Sequence, residues 1–247
     1  MTNSCTFTDV AALHQAAARH IIDIAQEAVR VRGRFKISLS GGGTPLALFR
    51  RLVTPPLRDE MPWQDTHFFW SDERCVPPSH AESNYFQARE AMFKRVPVMP
   101  ESIHRIKGEL PPDAACRDYL MQLHRHADGE LPFSVFDLVL LGLGDDGHTA
   151  SLFPGARAEE EWTQPALAVT AHYGDRPANR VSLTPLAFNA ARAVAFLVTG
   201  PSKAKAVAAT LQGERDWARW PAQMVSPTSG TFNWFVDEAA GRLLRHE

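Results

Sequence analysis

The sequence predicts an α/β protein in which a largely parallel central sheet is covered by helices on both faces. Strand-like and helix-like patterns alternate along the chain, which is typical of strand–helix–strand units. The run SVFDLVLL (134–141) has the apolar character of a strand that is buried on both faces. With 247 residues, of which 45% are hydrophobic, the chain is long enough to enclose a sizeable core.

The first half of the chain contains an opening helix and three predicted strand–helix pairs. Residues 8–32 place apolar or small side chains three and four positions apart on one helix face: Leu13, Ala17, Ile21, Ile24, Ala28 and Val31. The strand FKISLS (35–40) leads into a glycine turn and a helix that continues to Leu52, with Thr44 as the expected cap and Pro45 as the expected first helical residue. The other pairs join HFFWSD (67–72) to a helix near 84–95, and IHRI (103–106) to a helix near 113–127.

Three further strands are predicted in the second half, and each ends in glycine or proline with polar residues just beyond. They are FDLVLLGLG (136–144), RVSLTP (180–185) and AVAFLVTG (193–200), after which Pro201 indicates the start of a helix. The segment ALAVTAHY (166–173) is another plausible strand. Because ligands of such sheets bind beyond the carboxyl ends of strands, we expect the functional site among these polar segments.

Charge and composition argue against several classes of protein. The net charge is −2, and the 26 basic and 28 acidic residues are spread along the chain, so we expect no nucleic-acid partner. No apolar run approaches the ~20 residues that span a bilayer, and the first residues do not resemble a signal peptide, which predicts a cytoplasmic location. Three cysteines at unrelated spacings, Cys5, Cys75 and Cys116, fit neither a disulfide framework nor a zinc cluster.

The segment GLGDDG (142–147) matches the glycine fingerprint of dinucleotide-binding loops, but its surroundings do not. Asp145 and Asp146 would repel a pyrophosphate a few ångströms away. Pro154 and Gly155 cut short the helix that the fingerprint requires. The next plausible strand, 166–173, does not end in the acid that would hold a ribose hydroxyl. We therefore expect no dinucleotide here.

His148 is the candidate catalytic residue of this loop. Its imidazole can accept a proton from water near neutral pH, and Asp146 is placed to orient it. A lone histidine is more often structural, but the surrounding glycines leave this loop polar and open, which favours a general base. Ser151 lacks the G-x-S-x-G context of a serine hydrolase. Asp145, Asp146 and His148 could ligate a metal but lack a further ligand cluster, so we expect no metal site.

Four segments could bind a phosphorylated substrate. The turn SGGGTP offers backbone N–H groups at a helix start, from Ser40, Gly41, Gly42, Gly43 and Thr44. It lacks the lysine of a nucleotide P-loop, so it suits a monophosphate better than a triphosphate. Arg74, beside Asp72 at the end of a predicted strand, is a candidate for binding phosphate or sugar oxygens. Arg180 and Lys203 follow the same logic, and Lys203 would oppose the helix dipole unless an anion compensates it. The alternatives are a simple tight turn and ordinary surface charges.

Taken together, these segments resemble the 6-phosphogluconolactonase family almost from end to end. The resemblance rests on SGGGTP (40–45), DERCVP (72–77) with SNY (83–85), GLGDDGHTASLFP (142–154), RVSLTP (180–185), G-x-x-K-A (200–204) and WFVD (234–237). It implies one domain over residues 1–247, a three-layer α/β/α sandwich with Rossmann-like topology, and a fold shared with glucosamine-6-phosphate deaminase and ribose-5-phosphate isomerase. It also implies hydrolysis of 6-phosphoglucono-δ-lactone in the oxidative pentose phosphate pathway, with no cofactor and no obligate protein partner.

On this interpretation the substrate is a small sugar-phosphate lactone, and different residues bind it and catalyse its hydrolysis. The backbone of Ser40 to Thr44, with Arg74, Lys203 and Arg180, would hold phosphate and hydroxyls, while His148 deprotonates water. Two other hypotheses remain. Asp72 could serve as the carboxylate base of a sugar-phosphate isomerase or deaminase, or the same pocket could bind sugar phosphates without turnover.

Overall fold

The computed structural model describes residues 2–155, 163–172, 174 and 176–245, and it confirms the predicted α/β fold. Six parallel strands form the central sheet in the order β1-β9-β8-β5-β2-β3, with helices on its faces. The strands are β1 (Thr2–Phe7), β2 (Phe35–Leu39), β3 (Thr66–Trp70), β4 (Asp72–Arg74), β5 (Leu138–Leu141), β6 (Ala166–Thr170), β7 (Asn179–Leu183), β8 (Ala193–Val198) and β9 (Thr231–Asp237). The helices are α1 (Val10–Arg32), α2 (Gly43–Leu52), α3 (Leu57–Glu60), α4 (Asn84–Ala91), α5 (Pro112–Arg125), α6 (Pro185–Asn189), α7 (Ala204–Gln212) and α8 (Glu238–Gly241).

A second, three-stranded antiparallel sheet, β4-β7-β6, was not anticipated. The chain passes from one sheet to the other at Ser71, whose N–H donates to Leu39 O (2.8 Å) and whose carbonyl accepts from Leu183 N (2.7 Å). The strand predicted over 67–72 is therefore two strands in different sheets. This division places the end of β4 beside β7, on the side of the molecule where β2 ends.

The predicted opening helix is correct in extent and largely in its buried face. Asp9 caps α1 by accepting from Ala12 N (2.7 Å), and Gly33, with φ 72°, ends the helix in the left-handed conformation that glycine adopts at low cost. The prediction that Val31 lies on the buried face is wrong, because this residue, in the last turn, is 54% exposed. The buried face ends at Ala28.

Three details of the predicted elements are also wrong. Helix α2 begins at Gly43, after Gly42 as cap, and not at Pro45; Thr44 does not cap it but bonds through Oγ1 to Thr199 Oγ1 (2.7 Å). The strand predicted over 103–106 makes only one bridge, between Ile103 and Phe68, because the chain there runs past the edge strand rather than along it. The helix predicted near 84–95 ends at Ala91 and gives way to a short 3-10 turn.

The strand order explains how distant segments reach one edge of the sheet. β2, β5 and β8 are adjacent, so their carboxyl ends bring together the SGGG turn, the GDDGH loop and the segment that follows β8. In parallel sheets this edge is the usual position of a ligand site. Among the described residues, no helix is long and apolar enough to cross a membrane.

Candidate active site

A pocket of about 240 Å³ lies at these carboxyl ends. Ten of the predicted site residues line it: Ser40, Gly41, Gly42, Gly43, Thr44, Asp72, Arg74, His148, Arg180 and Lys203. Asp146 does not line the pocket. Its carboxylate contacts Nδ1 of His148, and His148 lines the pocket. The structure therefore brings all the predicted segments to one place.

Asp146 orients the imidazole of His148. The carboxylate oxygen Oδ1 lies 2.6 Å from Nδ1 of the ring and also accepts from the backbone N–H of His148 (3.1 Å). Burial would raise the pKa of Asp146, but the hydrogen bonds and charge of His148 outweigh it and lower that pKa, so the carboxylate is ionised and accepts the proton of Nδ1. In the neutral ring the basic lone pair is then on Nε2.

The glycines of this loop allow the two side chains to approach closely. A Cβ atom on Gly144 would lie 2.1 Å from His148 Nδ1, so only glycine leaves room for the ring there. The backbone closes the turn, with Gly144 N donating to His148 O (2.7 Å) and Thr149 Oγ1 donating to Gly142 O (2.8 Å). Gly147 has φ 88° and packs against Trp220. These contacts give the histidine a fixed position at the end of β5.

Arg74 and Arg180 face each other across the antiparallel pair of β4 and β7. Both are buried, with 6% and 3% of their surface exposed, and like charges directly opposite one another are destabilising. Arg74 donates to Glu82 O (2.6 Å), but its Nε has no hydrogen-bond partner within the described part of the chain, and neither do Nε and Nη2 of Arg180. Burial lowers the pKa of Arg180, and Asp72 opposes the shift. Two buried guanidinium groups with unsatisfied N–H groups are suited to bind an anion.

Asp72 is held by neighbouring side chains at the floor of the pocket. Its Oδ2 accepts from Ser151 Oγ (2.6 Å), and Asn84 Nδ2 donates to its Oδ1 (3.2 Å) and its carbonyl (2.9 Å). Asn84 Oδ1 is buried and makes no hydrogen bond to any described residue. Asn84 therefore presents a buried acceptor in the pocket, which suits a ligand hydroxyl.

Glu73 fixes the start of α4 beside this network. Its carboxylate accepts from Arg74 N and Asn84 N at one oxygen and from Ser83 Oγ and Tyr85 N at the other, at 2.7–2.9 Å. Burial raises its pKa to about 7, and these hydrogen bonds oppose the rise. Glu73 therefore acts on the site by positioning Arg74 and Asn84.

The remaining walls come from the turns after β2 and β8. A Cβ on Gly41 would meet Asn84 Oδ1 at 2.0 Å, and Gly42 has φ 102°, so both positions require glycine. After β8, Gly200 donates its N–H to both carboxylate oxygens of Asp237 (3.0 Å each). Asp237 thereby ties the segment carrying Lys203 to the end of β9.

Several pocket residues were not found by sequence reasoning. Arg176, Asn84, Thr199 and the backbone of Gly142 to Gly144 also line the pocket. Asn84 was recognised only within SNY, as part of a helix start and of the family resemblance, and Asp237 only as part of that resemblance. Phe153, whose ring lies 4.7 Å from that of His148 and 5.4 Å from the Arg180 guanidinium, was not singled out.

The fold and pocket define an α/β protein in which buried guanidinium groups and a carboxylate-bound imidazole share one pocket. A family model described as glucosamine-6-phosphate isomerases/6-phosphogluconolactonase matches residues 8–234. A 6-phosphogluconolactonase of Haemophilus influenzae is 37% identical over 231 residues, covering 92% of this chain and 97% of the relative. One of Rattus norvegicus is 39% identical over 218 residues, covering 86% and 82%. The chain belongs to the glucosamine-6-phosphate isomerase/6-phosphogluconolactonase family.

Solved structures agree with this assignment. The 6-phosphogluconolactonase of Trypanosoma brucei has a TM-score of 0.84 and 27% identity, with 99% of each chain covered. A monomeric glucosamine-6-phosphate deaminase has a TM-score of 0.84 at 21% identity, covering 98% of this chain and all of the other, which shows the shared fold alone.

Proposed function

We propose that the protein hydrolyses 6-phospho-D-glucono-1,5-lactone to 6-phospho-D-gluconate, the second step of the oxidative pentose phosphate pathway. Its curated relatives in bacteria and mammals carry the name 6-phosphogluconolactonase. The observation that carries the proposal is that one pocket joins Arg74, Arg180 and Lys203 to the oriented imidazole of His148. A phosphorylated lactone has both groups that this arrangement fits: an anion and an electrophilic carbonyl carbon.

The cationic side of the pocket binds the phosphate and hydroxyl groups. A phosphate monoester carries close to two negative charges at neutral pH. Arg74 and Arg180 supply buried guanidinium N–H groups, Lys203 supplies a third positive charge, and the turn from Ser40 to Thr44 supplies backbone N–H groups at the start of α2. Asp72 contributes carboxylate oxygens for sugar hydroxyls.

The chemical step is assigned to His148. Nε2 takes a proton from water as the water oxygen attacks the lactone carbonyl, which forms a tetrahedral oxyanion and an imidazolium. Asp146 stabilises the imidazolium through Nδ1. When the intermediate collapses, the bond from the carbonyl carbon to the ring oxygen breaks and the imidazolium returns its proton to that oxygen. Water is the only co-reactant that this sequence requires.

We also propose three further properties of the protein. We infer a cytoplasmic location, one domain over residues 1–247 and no obligate protein partner, all from the family to which the chain belongs.

Proton release tests the activity directly. Freshly prepared 6-phosphogluconolactone is added to the protein in weak buffer, and the spontaneous rate, measured without protein, is subtracted. We expect release far above that background, and much slower release with unphosphorylated glucono-1,5-lactone. A rate equal to the background for the phosphorylated lactone would reject the proposal.

The isomerase or deaminase alternative is tested by a separate assay. It needs a carboxylate that shuttles a proton between carbons, and Asp72 is the candidate. Both of its oxygens already accept hydrogen bonds, from Ser151 and Asn84, so a proton shuttle through Asp72 would have to disrupt one of these bonds. We therefore expect no ammonia from glucosamine 6-phosphate, whereas ammonia release without lactone hydrolysis would favour the alternative.

A further inference from the structure

Three histidines meet at the end of the sheet opposite the active-site pocket. His67 is the second residue of the edge strand β3 and pairs in register with Lys36 near the start of β2, whereas the pocket lies where β2 ends. His104 follows the 3-10 turn Pro100–Ser102, and its N–H donates to Phe68 O (2.8 Å). His126 caps the carboxyl end of α5. The fold, and not local sequence, therefore assembles this group.

The ring nitrogens of the three histidines are close enough to share one ion. Each residue offers one ligand atom, and these atoms lie within 4.8 Å of one another. The closest pair is His67 Nδ1 and His104 Nε2, at 2.9 Å. In a tetrahedral zinc site with Zn–N bonds of about 2.05 Å, ligand nitrogens are separated by about 3.3 Å. The separations in the trio, from 2.9 Å to at most 4.8 Å, lie on either side of that value.

The ring nitrogens of the three histidines make few hydrogen bonds. Apart from the contact between His67 and His104, no ring nitrogen of the trio makes a hydrogen bond within the residues that the structure describes. Ring nitrogens that make no hydrogen bond within the protein can bind a ligand without breaking one.

The trio is in the protonation state that metals require. Burial lowers the pKa of all three imidazoles. The nearby cations Arg34 and Lys36 add to this at His67, and neighbouring histidines add to it at His126 and at His104, whose pKa falls to about 3. The rings are therefore neutral near pH 7, and neutral imidazole is the metal-binding form.

The neighbouring charges set the affinity rather than exclude binding. The buried ammonium of Lys36 lies beside the cluster and donates to His126 O, which disfavours a dication. Asp128 offsets it, because its carboxylate lies 2.8 Å from Lys36 Nζ and 3.3 Å from Arg34 Nη2. Two cations against one carboxylate leave the local charge positive, so we expect binding weaker than in a site built with carboxylate or thiolate ligands.

A second pocket gives access to the cluster. It has a volume of about 400 Å³ and is lined by His104 and His126. Its walls carry both signs of charge, from Glu101 and Asp118 and from Arg105, Lys107 and Arg125. This opening provides an entry route and room for a water as fourth ligand.

We propose that His67, His104 and His126 bind a transition-metal dication of the zinc type, with water from the second pocket in the fourth position. Three imidazoles suit Zn²⁺, Cu²⁺ or Ni²⁺, whereas Mg²⁺ and Ca²⁺ prefer oxygen ligands. The bound ion would connect the edge strand β3, the segment after Ser102 and the end of α5, and so stabilise the folded protein.

The test is metal binding to chelator-treated protein. Zn²⁺ is titrated by calorimetry, and Co²⁺ is followed by visible absorption, which reports a four-coordinate site. We expect one site per chain that involves the trio, and a rise in the midpoint of thermal unfolding, Tm, with added Zn²⁺. His104→Asn and His126→Gln should each weaken Zn²⁺ binding by about 100-fold or more, since loss of even an outer partner costs 10–100-fold.

Two control variants separate this site from other histidines. His80→Asn changes an exposed histidine, and His148→Asn removes the active-site imidazole; both should bind Zn²⁺ as the unchanged protein does. Circular dichroism of the metal-free variants checks that each is folded, and His126→Gln, at a half-buried helix end, is the variant least prone to misfold. The proposal is overturned if no zinc binds, if His104→Asn and His126→Gln bind it normally, or if binding disappears in His148→Asn. The first two outcomes would mean that the trio is only a packed ring cluster against Phe69, whose ring lies 4.4 Å from that of His104.

Discussion

The acid–base chemistry of the pocket depends on the pair formed by Asp146 and His148. Because Asp146 accepts at Nδ1, the ring nitrogen available to deprotonate water is Nε2. The ring of Phe153 also packs against the imidazole, with centroids 4.7 Å apart and the planes tilted by 34°. A base that is fixed in both tautomer and orientation contributes to the rate of the chemical step and little to substrate binding.

Replacing His148 by asparagine should therefore separate the two functions. We expect His148→Asn to lower kcat by ~10² to 10⁴ and to leave KM nearly unchanged, because a general base acts in the transition state. Steady-state proton release measures both constants, with His80→Asn as an exposed histidine control. An unchanged kcat would remove the imidazole from the mechanism.

Lys203 should affect binding instead. We expect Lys203→Ala to raise KM for the phosphorylated lactone by roughly 10- to 100-fold, which corresponds to the loss of about 1.5–3 kcal/mol for a charged hydrogen bond. The effect on kcat should be small. Lys205→Ala is the matched control, since Lys205 lies on the same segment, is exposed and does not line the pocket.

The comparison with unphosphorylated glucono-1,5-lactone identifies what Lys203 recognises. If Lys203 contacts the phosphate, its removal should leave the weak hydrolysis of the unphosphorylated lactone unaltered. Equal losses with both substrates would contradict a phosphate-binding role.

At the scale of elements, the loop after β5 depends on glycine for a steric reason. Gly142 and Gly144 look equivalent in the sequence, but they differ in their surroundings. A Cβ at 144 would lie 2.1 Å from His148 Nδ1 and 2.4 Å from Asp146 Oδ1, whereas one at 142 would meet only Ser40 Oγ, at 3.9 Å. Neither residue has a positive φ.

This difference predicts unequal effects of the same substitution. Gly144→Ala should displace the ring from Asp146 and reduce kcat by about 10²-fold or more, comparable with the loss of a positioned base. Gly142→Ala should stay within a few-fold of the unchanged protein. Kinetics are measured together with Tm, so that a general loss of folding is recognised; equal activity of the two variants would refute the steric explanation.

The segments that carry the site could be predicted because their chemistry is local. Glycine-rich turns and charged residues directly after apolar runs are visible in SGGGTP and in GDDGH, and parallel strands bring such ends together. The small sheet could not be predicted, because the pattern of RVSLTP is the same whether its partner is parallel or antiparallel. The pairing of Arg74 with Arg180 follows from that sheet and was therefore not visible either.

Other residues were missed because their roles exist only in three dimensions. Strand β1 is polar and lies at an edge, so TNSCTF has no apolar signal of its own and is stabilised by pairing with β9. Arg176 lies in a stretch without periodicity. Asp237 supports a loop that is 37 residues away in the chain.

At the scale of the whole molecule, the buried charges of the pocket lower the stability of the ligand-free protein. Arg180 is 3% exposed, faces Arg74, and has two nitrogens without hydrogen-bond partners among the described residues. Buried charges that lack good partners reduce stability, and apolar replacements of similar volume are often neutral or stabilising by ~1–4 kcal/mol. A substrate or product phosphate would offset this cost on binding.

Arg180→Met should therefore keep or raise the stability of the ligand-free protein and lose phosphate binding. The Tm of the ligand-free variant should equal or exceed that of the unchanged protein, whereas the rise in Tm on adding 6-phosphogluconate should disappear. Lys36→Met is the matched control: Lys36 is equally buried but paired with Asp128 at 2.8 Å, so its replacement should lower Tm and preserve the response to 6-phosphogluconate. If Arg180→Met lowers Tm as much as Lys36→Met does, or still responds to 6-phosphogluconate, Arg180 is a structural cation and the phosphate is bound elsewhere.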